Sequence, residues 1–200
     1  MKLYSYPDCP YCQKVRVVLA EKDLSYEIVP VDLRKNEQKT AEFLRLNPYG
    51  KVPVLEDEEI VVYESTIINE YLEDEYPLPA LMPEDSAGRA RIRMLEDYGD
   101  NIFLPQTSQV LAELARPEGE RDGDKLSRYK AGIVRSLEWL NSSLEGREYL
   151  VSEFSVADIS FVPGILILAN MGIEVNSGWK NLSAWIGRLR QRPSIQALGL

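Results

Sequence analysis

The sequence predicts a small α/β domain followed by an all-helical domain, and three features carry that prediction. In the first third, short apolar runs alternate with helical patterns in the order β-α-β-α-β-β-α. Between Tyr76 and Glu84 stand Pro77, Pro79 and Pro83, a density that stops a helix and makes a stiff connection. Beyond Asp85 only the helical period recurs, with no candidate strand. The expected boundaries are 1–76 for the α/β domain, 77–84 for the linker and 85–200 for the helical domain.

Leu3-Tyr4-Ser5-Tyr6 reads as the first strand, and Tyr11, Val15, Val18, Leu19 and Lys22 follow at helical spacing. Tyr26 to Val31 is the second strand, and Asn36 to Leu46 is a polar stretch of helix formers. Lys51-Val52-Pro53-Val54-Leu55 and Ile60-Val61-Val62-Tyr63 flank the acidic turn Glu56 to Glu59 as a hairpin. A helix from Ser65 to about Tyr76 closes the block. Long helical patterns then run from Asp85 to about Leu114 and from about Asp124 to Leu144, separated by a charged loop with two glycines. Ser155-Val156-Ala157-Asp158 is a capping box, with Phe154 and Ile159 at its staple positions. The helix it starts is apolar almost all round through Leu168, as a buried central helix would be. Shorter helices are expected at Asn181–Arg192 and Ser194–Leu198.

Composition narrows the function. Net charge is −9, from 23 basic and 32 acidic residues, which opposes direct nucleic-acid binding. The basic stretches at 89–93 and 188–192 read as solvated helix faces. No apolar run approaches the ~18 residues of a membrane span, and the polar start does not resemble a signal peptide. A cytoplasmic protein is expected. The 200 residues include no histidine, which removes Ser-His-Asp and Cys-His triads and the commonest general base. Two cysteines without further good ligands do not close a zinc site, so no metal is expected.

Chemistry then rests on Cys9-Pro10-Tyr11-Cys12, which ends the loop after the first strand and opens the first helix. A sulfur at a helix N-terminus faces unpaired N–H groups and the positive end of the dipole, both favouring thiolate. Pro10 suits the first helical position. Cys12 lies one turn further in, more covered, within reach of a disulfide with Cys9. Arg16 stands on roughly the same face as Cys12. Val52-Pro53-Val54 is the second signal. A proline is tolerated at the start of a strand in its own right, and the isomer is not visible in the sequence. Beside a thiol motif the cis form of thiol-redox folds is the favoured reading, turning the preceding backbone towards a peptide-like ligand. The third is Glu64-Ser65, where a hydroxyl and amide at a helix start suit a carboxylate and Glu64 suits an ammonium. An ordinary N-cap is the simpler reading of Ser65 taken alone.

These three motifs in this order resemble the thioredoxin-like domain of the glutathione-transferase superfamily, over the whole chain. The start through Cys12 is similar to two-domain glutaredoxins. Asn47-Pro48-Tyr49-Gly50-Lys51-Val52-Pro53-Val54-Leu55 and Tyr63 through Leu72 are similar to the omega class. Val15 through Lys22 and the linker are similar to stringent starvation protein A, a transferase-fold partner of RNA polymerase. The resemblance implies that Cys9 is the catalytic thiol, with Cys12 able to resolve its intermediates. It implies glutathione as co-substrate, held by Tyr11, Lys51, Val52, Pro53, Glu64 and Ser65. Within that site Val52 pairs with the cysteinyl part, Glu64 and Ser65 hold the γ-glutamyl end, and Lys51 lies near the glycyl carboxylate. It also implies a homodimer. Omega enzymes usually lack the second cysteine and stringent starvation protein A usually lacks both, so the resemblances agree on fold and site but not on activity. The expected function is a glutathione-dependent thiol transferase or reductase acting on mixed disulfides or small oxidised substrates; the alternative is an adaptor that binds RNA polymerase or another protein.

Overall fold

The first elements build a four-stranded sheet of order β2-β1-β3-β4, seen in a computed structural model that describes residues 1–199. Strand β1 (Lys2–Ser5) pairs in parallel with β2 (Glu27–Pro30), joined by helix α1 (Pro10–Glu21). A parallel pair needs such a crossover. Strand β3 (Val54–Asp57) runs antiparallel to β1, and β4 (Ile60–Tyr63) antiparallel to β3. Asp57 faces Ile60 across the hairpin, so the turn is Glu58-Glu59, with Glu58 at φ +50°. Helix α3 (Ser65–Glu75) leaves directly from β4. Leu3, Val15, Val18, Leu19, Leu55, Ile68 and Leu72 are wholly buried and form the core of this layer. The thioredoxin-like arrangement thus follows the β-α-β-α-β-β-α order read from the sequence.

Two local expectations in this part are corrected. The stretch from Asn36 to Leu46 is not one helix. Single 3₁₀ turns at Leu33–Lys35 and Glu37–Lys39 precede a short α2 (Ala41–Leu46). Asn36 adopts φ +58°, outside the helical region, and the Thr40 hydroxyl accepts from the Phe43 amide and restarts the chain as a helix. The third strand starts at Val54, not Lys51. The Lys51 carbonyl is taken by Asn47 Nδ2 at 2.8 Å, so the residues before Val54 belong to a turn rather than to the ladder.

The chain divides into two compact units, Met1–Leu81 and Met82–Leu200. The second has helices and no strand among its described residues: α4 (Ser86–Tyr98), α5 (Leu104–Leu114), α6 (Gly123–Ser143), α7 (Val156–Ile159), α8 (Val162–Leu166), α9 (Lys180–Gln191) and α10 (Pro193–Gln196). The helical run expected from Asp85 to Leu114 is present from Ser86 to Leu114, with one change of period inside it. A π-helical turn, Gly99–Phe103, divides α4 from α5, and Pro105 just beyond it supplies no amide to an i−4 carbonyl. The apolar stretch after the capping box is two pieces, because Pro163 removes one amide and Ser160 Oγ donates back to the Val156 carbonyl at 2.8 Å.

The capping box itself is complete. Asp158 accepts from the Ser155 amide (3.1 Å) and hydroxyl (3.2 Å), the Leu150 amide (3.0 Å) and Trp185 Nε1 (2.8 Å). One carboxylate therefore ties the loop before α7, the start of α7 and the middle of α9. Burial nevertheless pushes its carboxyl up to about 6, the four donors opposing that shift only in part. Among the described residues, no helix is long and apolar enough to cross a membrane.

Candidate functional site

Antiparallel register brings the candidate residues to one edge of the sheet. Tyr4 faces Val54 and Val54 faces Tyr63. The chain on either side of these pairs therefore collects the end of β1, the turn at Val52-Pro53 and the corner at Glu64.

Cys9 is the N-cap of α1, with φ −80° and ψ 115° and no side-chain cap of its own. Its amide donates to the Tyr6 carbonyl at 3.1 Å, and its carbonyl accepts from Gln13 at 3.1 Å. Gln13 Nε2 in turn donates to the Pro7 carbonyl at 2.9 Å, pinning the loop that presents the thiol. Pro10 occupies the first helical position as expected. The Cys9 sulfur is half-buried and lies 3.9 Å from the Val52 carbonyl oxygen. Its pKa is held below the ordinary thiol value by the side-chain hydrogen bond from Cys12. The Cys12 and Tyr11 backbone N–H groups act in the same direction, and burial opposes them.

Cys12 behaves oppositely. It is wholly buried, and burial raises its thiol well above the usual value, reinforced by the hydrogen bond to Cys9 and the Cys9 charge. The two sulfurs are free and shifted in opposite senses, Cys9 towards the thiolate and Cys12 towards the thiol that donates to it. Tyr11 is half-buried in the first turn of α1.

The Val52-Pro53 peptide bond is cis, as the motif predicts. Val52 is buried, whereas Lys51 is exposed. The turn before them is organised by Asn47 and Gly50, residues of the omega-like stretch to which the resemblance assigns no role of their own. Asn47, fully buried, donates to the Lys51 carbonyl, accepts from the Tyr49 amide at 2.9 Å, and gives its own carbonyl to the Gly50 amide. Gly50 stands at φ +59°, and a Cβ there would meet Lys39 Nζ at 2.8 Å and the Gln38 carbonyl at 2.9 Å. Lys39 Nζ donates to the Tyr49 carbonyl at 3.1 Å. The signal available in the sequence was Asn-Pro-Tyr-Gly, a turn sequence whose asparagine can bond its own backbone two residues on.

Ser65 is not the N-cap of α3. It is the first helical residue, buried, and Glu64 is the N-cap, at φ +70° and ψ 123°. A positive φ is costly for a residue with a Cβ, by about 1–3 kcal/mol, and persists only where the surroundings enforce it. The Glu64 carboxylate is exposed and its carbonyl accepts from Ile68 at 2.9 Å. Among the described residues, no cluster of three or more Cys, Asp or Glu side chains is arranged to hold a metal ion.

The edge thus joins a sulfur of lowered pKa at a helix start, a cis turn whose backbone faces that sulfur, and a strained acidic corner at a second helix start. Comparison with known proteins matches both units. The model of the glutathione S-transferase N-terminal domain matches residues 3–80, and that of the C-terminal domain residues 103–193. A stringent starvation protein A homolog from Haemophilus influenzae is 32% identical over all of this chain and 90% of its own length. Maleylacetoacetate isomerase from Mus musculus is 36% identical over 82% of this chain and 76% of its own. A glutathione transferase from Phanerochaete chrysosporium, solved with oxidized glutathione, superposes with a TM-score of 0.87 at 28% identity, covering 99% of this chain and 92% of that one. The chain belongs to the glutathione S-transferase family.

Proposed function

We propose that this chain is a glutathione-dependent thiol transferase with Cys9 as its nucleophile. The observation that carries this reading is the thiol pair itself: one sulfur at a helix N-terminus with a lowered pKa, donated to by a second with a raised one. A hydroxyl-based conjugating site would need neither. In the proposed cycle the Cys9 thiolate attacks the glutathionyl sulfur of a mixed disulfide. The Cys9–glutathione disulfide forms, the original disulfide breaks, and the other thiol leaves as thiolate. A second glutathione thiolate then attacks the bound glutathionyl sulfur, producing oxidised glutathione and regenerating the Cys9 thiolate. Cys12 can instead resolve the intermediate, losing its proton, forming the Cys9–Cys12 disulfide and releasing glutathione. Its raised pKa makes that branch the slower one at neutral pH.

Glutathione itself would sit with its cysteinyl backbone along Val52-Pro53, its γ-glutamyl end at Glu64 and Ser65, and its glycyl carboxylate near Lys51, with Tyr11 beside it. The relative solved with oxidized glutathione supports glutathione as the ligand. A homodimer and a cytoplasmic location belong to the same proposal, as does the 77–84 linker between the two domains.

A second reading is favoured by one observation, the full-length similarity to a stringent starvation protein A homolog. In that reading the fold is an adaptor for RNA polymerase or another protein. Reduction of a glutathionylated test disulfide separates the two, run on wild type, Cys9→Ser and Cys12→Ser beside chloro-dinitrobenzene conjugation. Activity lost with Cys9→Ser and retained by Cys12→Ser supports the transferase. A wild type inert in both assays leaves the adaptor.

A further inference from the structure

The corner at Glu64 is a vertex. Strand β4 enters it and α3 leaves it, folding back over the sheet so that the far end of α3 returns to the far end of the β3–β4 hairpin. There the two are tied. The Tyr71 hydroxyl donates to Asp57 Oδ2 at 3.0 Å and the Tyr76 hydroxyl donates to the same oxygen at 2.8 Å. Asp57 is buried, the last residue of β3. The hydrogen bond to this carboxylate pushes the Tyr76 phenol up to about 12, so it stays a donor at any working pH. Burial and the same carboxylate raise Tyr71 as well.

A second tie joins the far ends of α3 and α1. Lys22 Nζ, with no exposed side-chain surface, lies 2.8 Å from Glu73 Oε2 and donates to the Tyr76 carbonyl at 2.7 Å and the Pro79 carbonyl at 3.0 Å. Glu73 also accepts from the Leu81 amide at 3.1 Å. All three ammonium protons thus have acceptors, and the pair is buried yet satisfied.

We infer that Asp57, Tyr71, Tyr76, Lys22 and Glu73 are positioning residues that hold the Glu64–Ser65 corner in its strained conformation from the opposite end of α3. The residue at the vertex stands at φ +70°, a geometry that relaxes unless the two arms are fixed. The ties fix the arms. The inference rests on the reading of that corner as the γ-glutamyl site, and it assigns the affinity of that site to residues that never touch the ligand.

The test uses the full chain with Tyr71→Phe/Tyr76→Phe, and Asp57→Asn as a milder variant that keeps an acceptor. Isothermal titration with glutathione, the pH profile of Cys9 alkylation and amide exchange at Ile68, which donates to the Glu64 carbonyl, are measured together. The expected result is a Kd for glutathione raised about three- to tenfold, faster exchange at Ile68 and an unchanged Cys9 midpoint. A Cys9 midpoint that moves with the Kd would mean general loosening of the unit and would overturn the inference, as would unchanged exchange at Ile68. A wild type that does not bind glutathione would instead contradict the functional reading, while the exchange at Ile68 still decides whether the ties hold the corner.

Discussion

Two helix starts in this molecule are built in opposite ways. At α7, Asp158 gathers two backbone amides, a hydroxyl and an indole N–H onto one carboxylate. At α1, Cys9 has no carboxylate or hydroxyl to cap the helix, and the Tyr11 and Cys12 amides act on its sulfur. Every helix start offers unpaired N–H groups. Where the chain closes the start into its own capping box, the start is structural. Where it leaves those N–H groups to an ionisable sulfur, they stabilise the charge that a nucleophile needs.

Breaking each start should therefore have a different signature. The largest effect is on activity. Cys9→Ser is expected to lower disulfide reduction by at least about a hundredfold, since a hydroxyl is not ionised at neutral pH, with little change in Tm. Asp158→Ala should do the reverse. It leaves buried donors without acceptors and should cost about 2–4 kcal/mol in urea unfolding, while leaving the Cys9 alkylation profile in place.

The pH responses sharpen the contrast. Asp158 titrates at about 6 in the folded protein and at about 3.9 when unfolded. Between those values the folded state holds the extra proton, so this group's contribution to stability is fully present below about pH 4 and is lost as pH rises through about 6. Carboxylates such as Glu113, lowered first by the Asp122 amide, push the other way. The difference in unfolding free energy between wild type and Asp158→Asn isolates the effect, expected to be about 2–3 kcal/mol across this range; a flat difference would show that the four donors keep the carboxylate ionised throughout. Cys9 moves in the opposite sense: iodoacetamide alkylation of the wild type, read at Cys9 by peptide mapping, should have its midpoint below the ordinary thiol value of about 8.5.

The smallest effect comes from a buried polar group that neither pattern serves. Asn69, 1% exposed, has neither amide atom hydrogen-bonded among the described residues. Asn69→Leu removes an unsatisfied group of similar volume and should raise the stability of the first unit by about 0.5–1.5 kcal/mol, measured by urea midpoint. A loss of stability would mean that an internal water completes the site.

Much of this was legible from local chemistry. Cys-Pro-Tyr-Cys after a strand, Val-Pro-Val opening one, and Ser155 with Asp158 each state their own geometry within a few residues. What escaped depended on distant partners or on single backbone events. The π turn at Gly99–Phe103 and the break before Pro163 lie inside apolar patterns that keep the helical period, and the period alone does not register a lost hydrogen bond. Glu64 looked like a ligand-binding acid beside a capping serine, and its positive φ depends on how β4 meets α3. Asp57 read as part of an acidic turn, because nothing in Glu56-Asp57-Glu58-Glu59 singles out the one carboxylate that Tyr71 and Tyr76 reach from a later helix.

The most direct test of Cys9 as the nucleophile is intact-mass and peptide mapping of Cys12→Ser after brief exposure to oxidised glutathione at neutral pH. The Cys9 thiolate should attack one sulfur and release one glutathione thiolate, leaving a single glutathionyl adduct on Cys9, formed far faster in the folded protein than in urea. No adduct, or one that forms as quickly on the unfolded chain, would contradict the account, because the helix start would then be doing nothing for the sulfur it holds.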